Sequence, residues 1–406
     1  MHTPFLALLV LAQAASLALG SAVPRAQAES DLERLANLAQ QAFETAQDDV
    51  TSSDNVQRGG GSSCTLSKLS IRREWGTLST SDKKAYITAV KCLQSKPANY
   101  PASVAPGAKT RFDDFVATHI NQTLSIHYTG NFLGWHRYYI WIYEQALRSE
   151  CGYKGSLPYW DWSKSAITGL AKSPVFDGSA TSMSGDGVAI PNQPDIVLGA
   201  GLGLPPLYLP PGTGGGCVTS GPFVDMKVNL GPVALDSPGG ISVSNPDGPL
   251  AYNPRCLKRS LTDYCNQKFA NATSVLSLIL TSPDITTFQM TMEGVPGSGQ
   301  LGVHGGGHYS MGGDPGRDVF ASPADPAFYL HHAMIDRTWW IWQQLSPNKR
   351  QFTNASVGLT RTFMNMPPSP PATLDDMVDY SYAGGPPRRL GDLMSTTSGP
   401  FCYVYL

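Results

Sequence analysis

Asp325-Pro326-Ala327-Phe328-Tyr329-Leu330-His331-His332-Ala333-Met334-Ile335-Asp336-Arg337 is the stretch on which the reading of this chain turns. Prolines at its entrance, an apolar periodic run and Pro347 beyond its end predict a strong helix over 328–345. Two adjacent histidines lie inside it. Neighbouring helical residues point about 100° apart, so only one of His331 and His332 reaches a given metal. Asp336 lies four residues after His332, on the same face, and is expected to accept that ring's second N–H and fix its tautomer.

Further histidines lie upstream. The chain has eight, and seven of them fall between His119 and His332. His304-Gly305-Gly306-Gly307-His308 carries two at i and i+4, one face of a helix. It has no Glu after the first histidine, which excludes an H-E-x-x-H protease. His119, His127 and His136 follow the spacing H-x7-H-x8-H. The first ends a predicted helix over 111–119, the second lies in an irregular stretch over 121–134, and the third begins a helix over 135–148. A single histidine reads as well as a hydrogen-bonded core residue. Two clusters, each able to supply three imidazoles, read as a metal centre. Imidazoles without cysteine or carboxylate favour copper, zinc or nickel over magnesium or calcium. The Glu-x-x-His pattern of di-iron bundles is missing. Two three-coordinate coppers facing each other would leave positions open for O2 and clamp one small ligand.

The rest of the chain frames this centre. It has 406 residues, 29 Lys+Arg against 31 Asp+Glu, and a net charge of −2, which argues against a nucleic-acid binder or a polybasic membrane protein. Charged residues are 15%, low for a globular chain, while 41 Gly and 32 Pro are many. A compact core with long loops is expected. A helix is predicted over 78–96, with Ser79 or Ser81 as N-cap and Pro97 after its end. The Gly/Pro-rich section 184–254 has no helical period and is expected to be loop with short strands around a site. Residues 29–50 have helical periodicity through Leu32, Leu35, Leu38, Ala42 and Phe43, and 54–63 read as a flexible linker. The amphipathic segment is a surface helix or a processed pro-segment.

Residues 5–19 are apolar apart from Gln13 and Ser16 and precede Gly20-Ser21-Ala22, the shape of a signal peptide over 1–20. No later run is long enough for a membrane span. Sequons stand at Asn121, Asn271 and Asn354. Seven cysteines follow the leader, none in a CxxC pair, and in an oxidising compartment they would form disulfides. Three bridges and one thiol can be arranged in about 105 ways. Cys64 and Cys402 lie near the two ends of the core and are guessed to tie them together. The chain is read as secreted.

The flanks of the histidines carry a family likeness. Gly134-Trp135-His136-Arg137-Tyr138, Leu157-Pro158-Tyr159-Trp160-Asp161-Trp162 and the 325–337 stretch closely resemble the copper signatures of the tyrosinase / catechol oxidase (polyphenol oxidase) family, and Tyr403-Val404-Tyr405 resembles the tyrosine motif that closes its catalytic domain. The resemblance spans 64–406, with 21–63 left as an N-terminal extension, and points to the short secreted fungal type. It implies a mainly α-helical fold whose four-helix bundle holds a type-3 dicopper centre, with long Gly/Pro-rich loops and a few short strands. By resemblance His119, His127 and His136 would bind copper A, His304, His308 and His332 would bind copper B, and His331 would be a neighbour of the centre.

The likeness also has departures. Many fungal members join a cysteine two positions before a copper A histidine to that ring; Ser125 stands there before His127. Glu293 resembles the Glu that holds an active-site water. Gly305 stands where strong monophenol hydroxylases often carry an Asn, Tyr309 where some carry Arg, and Val319 where some plant enzymes place a blocking Phe. The expected activity is oxidation of o-diphenols to o-quinones with reduction of O2 to water, with weak monophenol hydroxylation. Full tyrosinase, o-aminophenol oxidase, a dicopper oxygen carrier without turnover and a structural zinc domain are the alternatives. Expected partners are small phenolic substrates, with no nucleic acid and no membrane; oligomeric state and physiological substrate stay open.

Overall fold

The computed structural model describes residues 23–51, 64–199 and 203–406. The predicted leader over 1–20 and the linker over 54–63 fall outside the described residues. The fold is mainly helical. Its longer helices are α1 (Arg25–Thr51), α2 (Thr80–Ser95), α3 (Arg111–Ile126), α4 (Phe132–Cys151), α5 (Trp162–Thr168), α6 (Asp263–Phe269), α7 (Ala272–Thr281), α8 (Ile285–Glu293), α9 (Gly302–Met311) and α10 (Ala327–Gln344). Strands are short and mostly lie between α5 and α6, in the expected Gly/Pro-rich section.

Local chemistry explains the helix boundaries. The Ser79 hydroxyl accepts the Asp82 N–H and starts α2, and Thr110 with Asp113 forms a capping box at α3. α3 runs to Ile126, seven residues past the predicted end at 119. Ile120, Thr123 and Ile126 continue its buried face, and no Gly or Pro interrupts the helix before Gly130. The expected irregular stretch over 121–134 therefore shrinks to the turn over 127–131, in which Tyr128 has φ +49°.

α10 is buried along its whole length, as a helix at the centre of a large core must be. Seven of the eight tryptophans are buried, including Trp339, Trp340 and Trp342 on α10. Each such side chain contributes roughly 1.5–3 kcal/mol or more of hydrophobic stabilisation. α1 lies on this body against α7 and α10, burying Leu35, Ala39, Ala42 and Ala46. Its Asp31 carboxylate accepts the Thr273 hydroxyl at 2.6 Å. The N-terminal segment is thus a docked helix.

Strand Ser70–Arg72 pairs in parallel with Tyr403–Tyr405, and the Cys64–Cys402 disulfide closes the same junction. The guessed link between the chain ends is present. Cys92–Cys151 and Cys217–Cys256 are the other bridges, and Cys265 is a buried free thiol. Of the sequons, Asn121 and Asn354 are exposed. Asn271 is buried and its amide oxygen caps α7 by accepting the Ser274 N–H, so it is a poor acceptor for a glycan. No helix among the described residues is long and apolar enough to cross a membrane.

Candidate metal centre

Four helices and one turn carry the histidines. α3 supplies His119, the turn after it His127, α4 His136, α9 His304 and His308, and α10 His331 and His332. His119, His127 and His136 form one group, and His304, His308, His331 and His332 another; within each, the ligand atoms lie within 4.8 Å of one another. The groups face each other. His136 stacks on His332 with ring centroids 4.6 Å apart, and His127 on His304 at 5.8 Å.

α9 approaches its neighbours closely because of its glycines. A Cβ at Gly306 would lie 2.7 Å from the Phe269 Cβ on α6, and one at Gly307 only 2.2 Å from the His331 ring. The three consecutive glycines, poor helix formers, are therefore a packing requirement at the second and third positions.

The hydrogen bonds orient the rings for a cation. Nδ1 of His119 donates to the Phe320 carbonyl at 2.7 Å, that of His136 to Phe132 at 2.8 Å, and that of His127 to Thr123 at 3.0 Å. His308 Nδ1 donates to the Gly316 carbonyl at 3.1 Å. With the proton on Nδ1, each Nε2 presents a lone pair. The Nε2 atoms of His119 and His136 then meet 3.4 Å apart, two acceptors facing each other with no proton between them. In the second group the Nε2 atoms of His308 and His332 lie 3.4 Å apart with only that of His308 fixed as an acceptor, and the buried Nε2 of His304 has no partner. Acceptors left this way are costly unless a metal ion binds them. Burial, and then the neighbouring imidazoles, hold His119, His136, His304 and His332 well below the ordinary histidine range. Burial also brings His127 down to about 4 and His308, helped by His127, to about 3. All are neutral near pH 7, the form that ligates.

His331 differs from its neighbour. The Trp162 indole N–H donates to its Nδ1 at 3.1 Å, which places the ring proton on Nε2. His332 has no such donor, its Nδ1 is without a partner, and Phe328 stacks on its ring at 4.0 Å.

Asp336 does not accept from His332, contrary to expectation. Its oxygens accept from Arg137 Nε at 2.6 Å, Tyr405 at 2.6 Å, Tyr403 at 2.7 Å and Arg72 at 3.4 Å. The spacing put Asp336 on the right face, but two buried guanidinium groups attract a carboxylate more strongly than a neutral imidazole does. Arg72 also pairs with Glu144 at 2.6 Å. Arg137 lay inside a quoted motif and the tyrosines in another, yet nothing in sequence spacing joined them to Asp336.

Beside the two histidine groups lies a cavity of about 380 Å³, lined by His127, His304, His308, Glu293, Gly305 and Val319 among others. Glu293 is buried at the end of α8, where its carboxyl accepts from the Tyr128 N–H at 2.7 Å and from Gln289 at 3.0 Å. Burial pushes it up to about 8 against the pull of these donors. Tyr128 and Gln289 were not singled out from sequence; only the folded turn brings them to Glu293. Gly305 faces the cavity without a side chain. Val319 is 36% exposed at the wall, and Ser125 is exposed with its hydroxyl on the Gln122 carbonyl. Tyr309 donates its hydroxyl to Asp236, and Arg317 lies on the same wall.

Residues 109–345 match the common central domain of tyrosinase. The chain is 45% identical over 336 residues to tyrosinase P of Aspergillus terreus, covering 82% of this chain and 91% of that protein. It is 41% identical over 353 residues to the N-acetyl-6-hydroxytryptophan oxidase of Emericella nidulans, covering 84% and 93%. A solved structure of a glycine-to-asparagine mutant of the polyphenol oxidase from Thermothelomyces thermophila superposes with a TM-score of 0.84 at 47% identity, covering 92% of this chain and 98% of that one. The two histidine groups suit a pair of copper ions.

Proposed function

The chain belongs to the tyrosinase family of copper oxidases, and from that premise we propose that it oxidises o-diphenols to o-quinones and hydroxylates monophenols weakly. His119, His127 and His136 would hold one copper, and His304, His308 and His332 the other. When bound, the pair supplies two-electron exchange with O2. Each o-diphenol gives up two electrons and two protons, and two turnovers reduce one O2 to two waters. His331 stays outside the ligand set, because a ring that accepts the Trp162 N–H on Nδ1 carries its proton on Nε2 and has no lone pair to give.

The observation that carries the diphenol reading is the wall beside His304. A monophenol must lose its proton to a placed base. Gly305 has no side chain, and the Glu293 carboxyl is already engaged by the Tyr128 N–H and Gln289, so beside His304 the wall offers no second side chain to place such a base. An o-diphenol is more acidic and chelates through two oxygens, so it depends less on such a base. The open wall at Val319 gives room for the ring, and small o-aminophenols present the same pair of donors.

The test uses copper-loaded protein with 4-methylcatechol, p-cresol and o-aminophenol. Quinone from the catechol with slow p-cresol turnover is expected. O2 binding without quinone would make the protein a carrier, zinc in place of copper a structural domain, and equal rates on both phenols a full tyrosinase. Gly305→Asn is expected to raise the ratio of p-cresol to 4-methylcatechol turnover by about tenfold or more, the low end or below of what a placed base contributes. A Cβ there meets only the Leu301 side chain at 3.2 Å, so the substitution fits after a small shift.

Glu293 makes a separate prediction in the metal-free protein. Its folded value is raised, so its contribution to stability is full below the ordinary value of 4.5 and is lost as pH rises through about 8. Glu293→Gln does not titrate. Thermal unfolding should show the variant gaining on the wild type between pH 5 and 8.5 and levelling above it; parallel curves would refute the assignment.

The protein is secreted on this reading, with 1–20 as leader, 21–63 as extension and 64–406 as the catalytic unit. Three disulfides persist in an oxidising compartment. Mass spectrometry of the chain recovered from culture medium reads its starting residue, and retention inside cells would contradict secretion.

A further inference from the structure

Arg317 is a charged side chain in the wall of the substrate cavity for which the fold provides no partner. It lies in the segment between α9 and α10, two residues before Val319, and lines the same cavity as His304 and His308. Its Nε is buried and makes no hydrogen bond, and its guanidinium forms no ion pair with any described residue. The two carboxylates nearest in charge are Asp236 and Asp314, and both are engaged elsewhere. Asp314 is held in a two-point pair by Arg255, at 2.7 and 2.8 Å. Asp236 accepts the Tyr309 hydroxyl.

Three fully buried arginines are different; a fourth buried one, Arg337, also has no ion pair among the described residues but lies over the Tyr159 ring at 4.8 Å. Arg72, Arg137 and Arg259 each have a carboxylate within 2.6 Å. The half-buried Arg317 guanidinium feels Asp236 and Asp314 without pairing with either, and its planar fork is suited to two-point contact with a carboxylate. The cavity also carries the Asp236 carboxylate, held by the Tyr309 hydroxyl, and is otherwise largely apolar, with Leu204, Val295, Phe363 and Met364 on its walls, which suits an aromatic ring and a short methylene chain.

We propose that Arg317 is a specificity-determining residue that holds a carboxylate on the substrate's side chain, so that the favoured o-diphenols are anionic. This rests on the diphenol reading above for its substrate class, but the contact itself does not require turnover. A compound such as 3-(3,4-dihydroxyphenyl)propionate combines the two features, the ring at the histidines and the carboxylate at Arg317. A cationic side chain such as that of dopamine meets the positive charge of Arg317.

Two measurements test this. In the first, KM values of copper-loaded enzyme are compared for 3-(3,4-dihydroxyphenyl)propionate, 4-methylcatechol and dopamine. The acid is expected to have the lowest KM, and Arg317→Gln is expected to raise the ratio of its KM to that of 4-methylcatechol by about tenfold or more, the weight of a lost charge-assisted contact. Arg317→Lys should recover part of it, since the charge returns without the fork. An unchanged ratio, or a preference for dopamine that would assign the recognition to Asp236, overturns the proposal.

The second measurement is the binding of 3-phenylpropionate and 3-phenylpropanol to the copper-loaded protein by calorimetry. Tighter binding of the acid that disappears in Arg317→Gln supports the contact even where no catechol is oxidised. An acid preference that survives the substitution, as direct ligation of the acid to copper would give, refutes it. Loss of alcohol binding as well would mark a damaged fold, and Arg317→Lys then decides between the two.

Discussion

Asp336→Ala is expected to destabilise the protein by about 3–5 kcal/mol, the cost of leaving a buried charge without its partner. Arg72 and Arg137 are fully buried and share this carboxylate, and the Tyr403 and Tyr405 hydroxyls donate to it as well. Removing it leaves two guanidinium groups short of counter-charge, with Glu144 remaining only on the Arg72 side. The cluster joins α10, α4, the strand Ser70–Arg72 and the C-terminal strand, so its loss also loosens α10 against α4. His332 and His136 stack across that interface. Denaturant unfolding of the metal-free protein measures the effect. Asp336→Asn should fall between, since it still accepts from the tyrosines but brings no charge. Asp375→Ala, which removes an exposed pair with Arg389, is the control and should change stability by less than about 1 kcal/mol. Equal stability of Asp336→Ala and the control would show that the cluster is not a fastening point.

Gly307→Ala is expected to abolish most activity although it adds one methyl group. In an ordinary helix the change is favourable by up to about 1 kcal/mol. Here the new Cβ would lie 2.2 Å from Cε1 and 2.4 Å from Nδ1 of His331. That ring cannot retreat easily, because Trp162 donates to its Nδ1 and it stacks on His304 at 5.8 Å. α9 must instead move off α10 and carry His304 and His308 with it. A displacement near 1 Å in such a centre costs about a hundredfold in rate. Catechol oxidation is expected to fall at least that far, with copper content dropping from two per chain toward one. Gly305→Ala, where the added atom meets only Leu301, should keep both coppers. Full copper and full rate in Gly307→Ala would mean that α9 has slack that its packing does not suggest.

The sequence alone reaches the helical scaffold and the two histidine groups, because both depend on local pattern. Apolar periodicity and flanking prolines marked α10 within one residue at each end. With no Gly or Pro before Gly130, the continued buried face of Ile120, Thr123 and Ile126 carried α3 past its expected end. Seven histidines in two groups pointed to a metal because residue type and spacing survive without any knowledge of the fold. The Cys64–Cys402 link was reachable only as a guess, since loop ends carry no signal of their own meeting.

What the tertiary structure decided is which groups face each other. His331 and His332 are adjacent and chemically identical in the sequence; an indole N–H contributed from α5 sets one ring's tautomer and leaves the other free. Asp336 has a histidine one turn before it, yet two arginines far away in the chain capture it. Arg317 looks like any loop arginine until the nearby carboxylates prove to be taken. Periodicity and spacing encode which residues share an element or a face. Hydrogen bonds and charge pairing inside a low-dielectric core act over a few ångströms between residues hundreds apart, and only the fold supplies those distances.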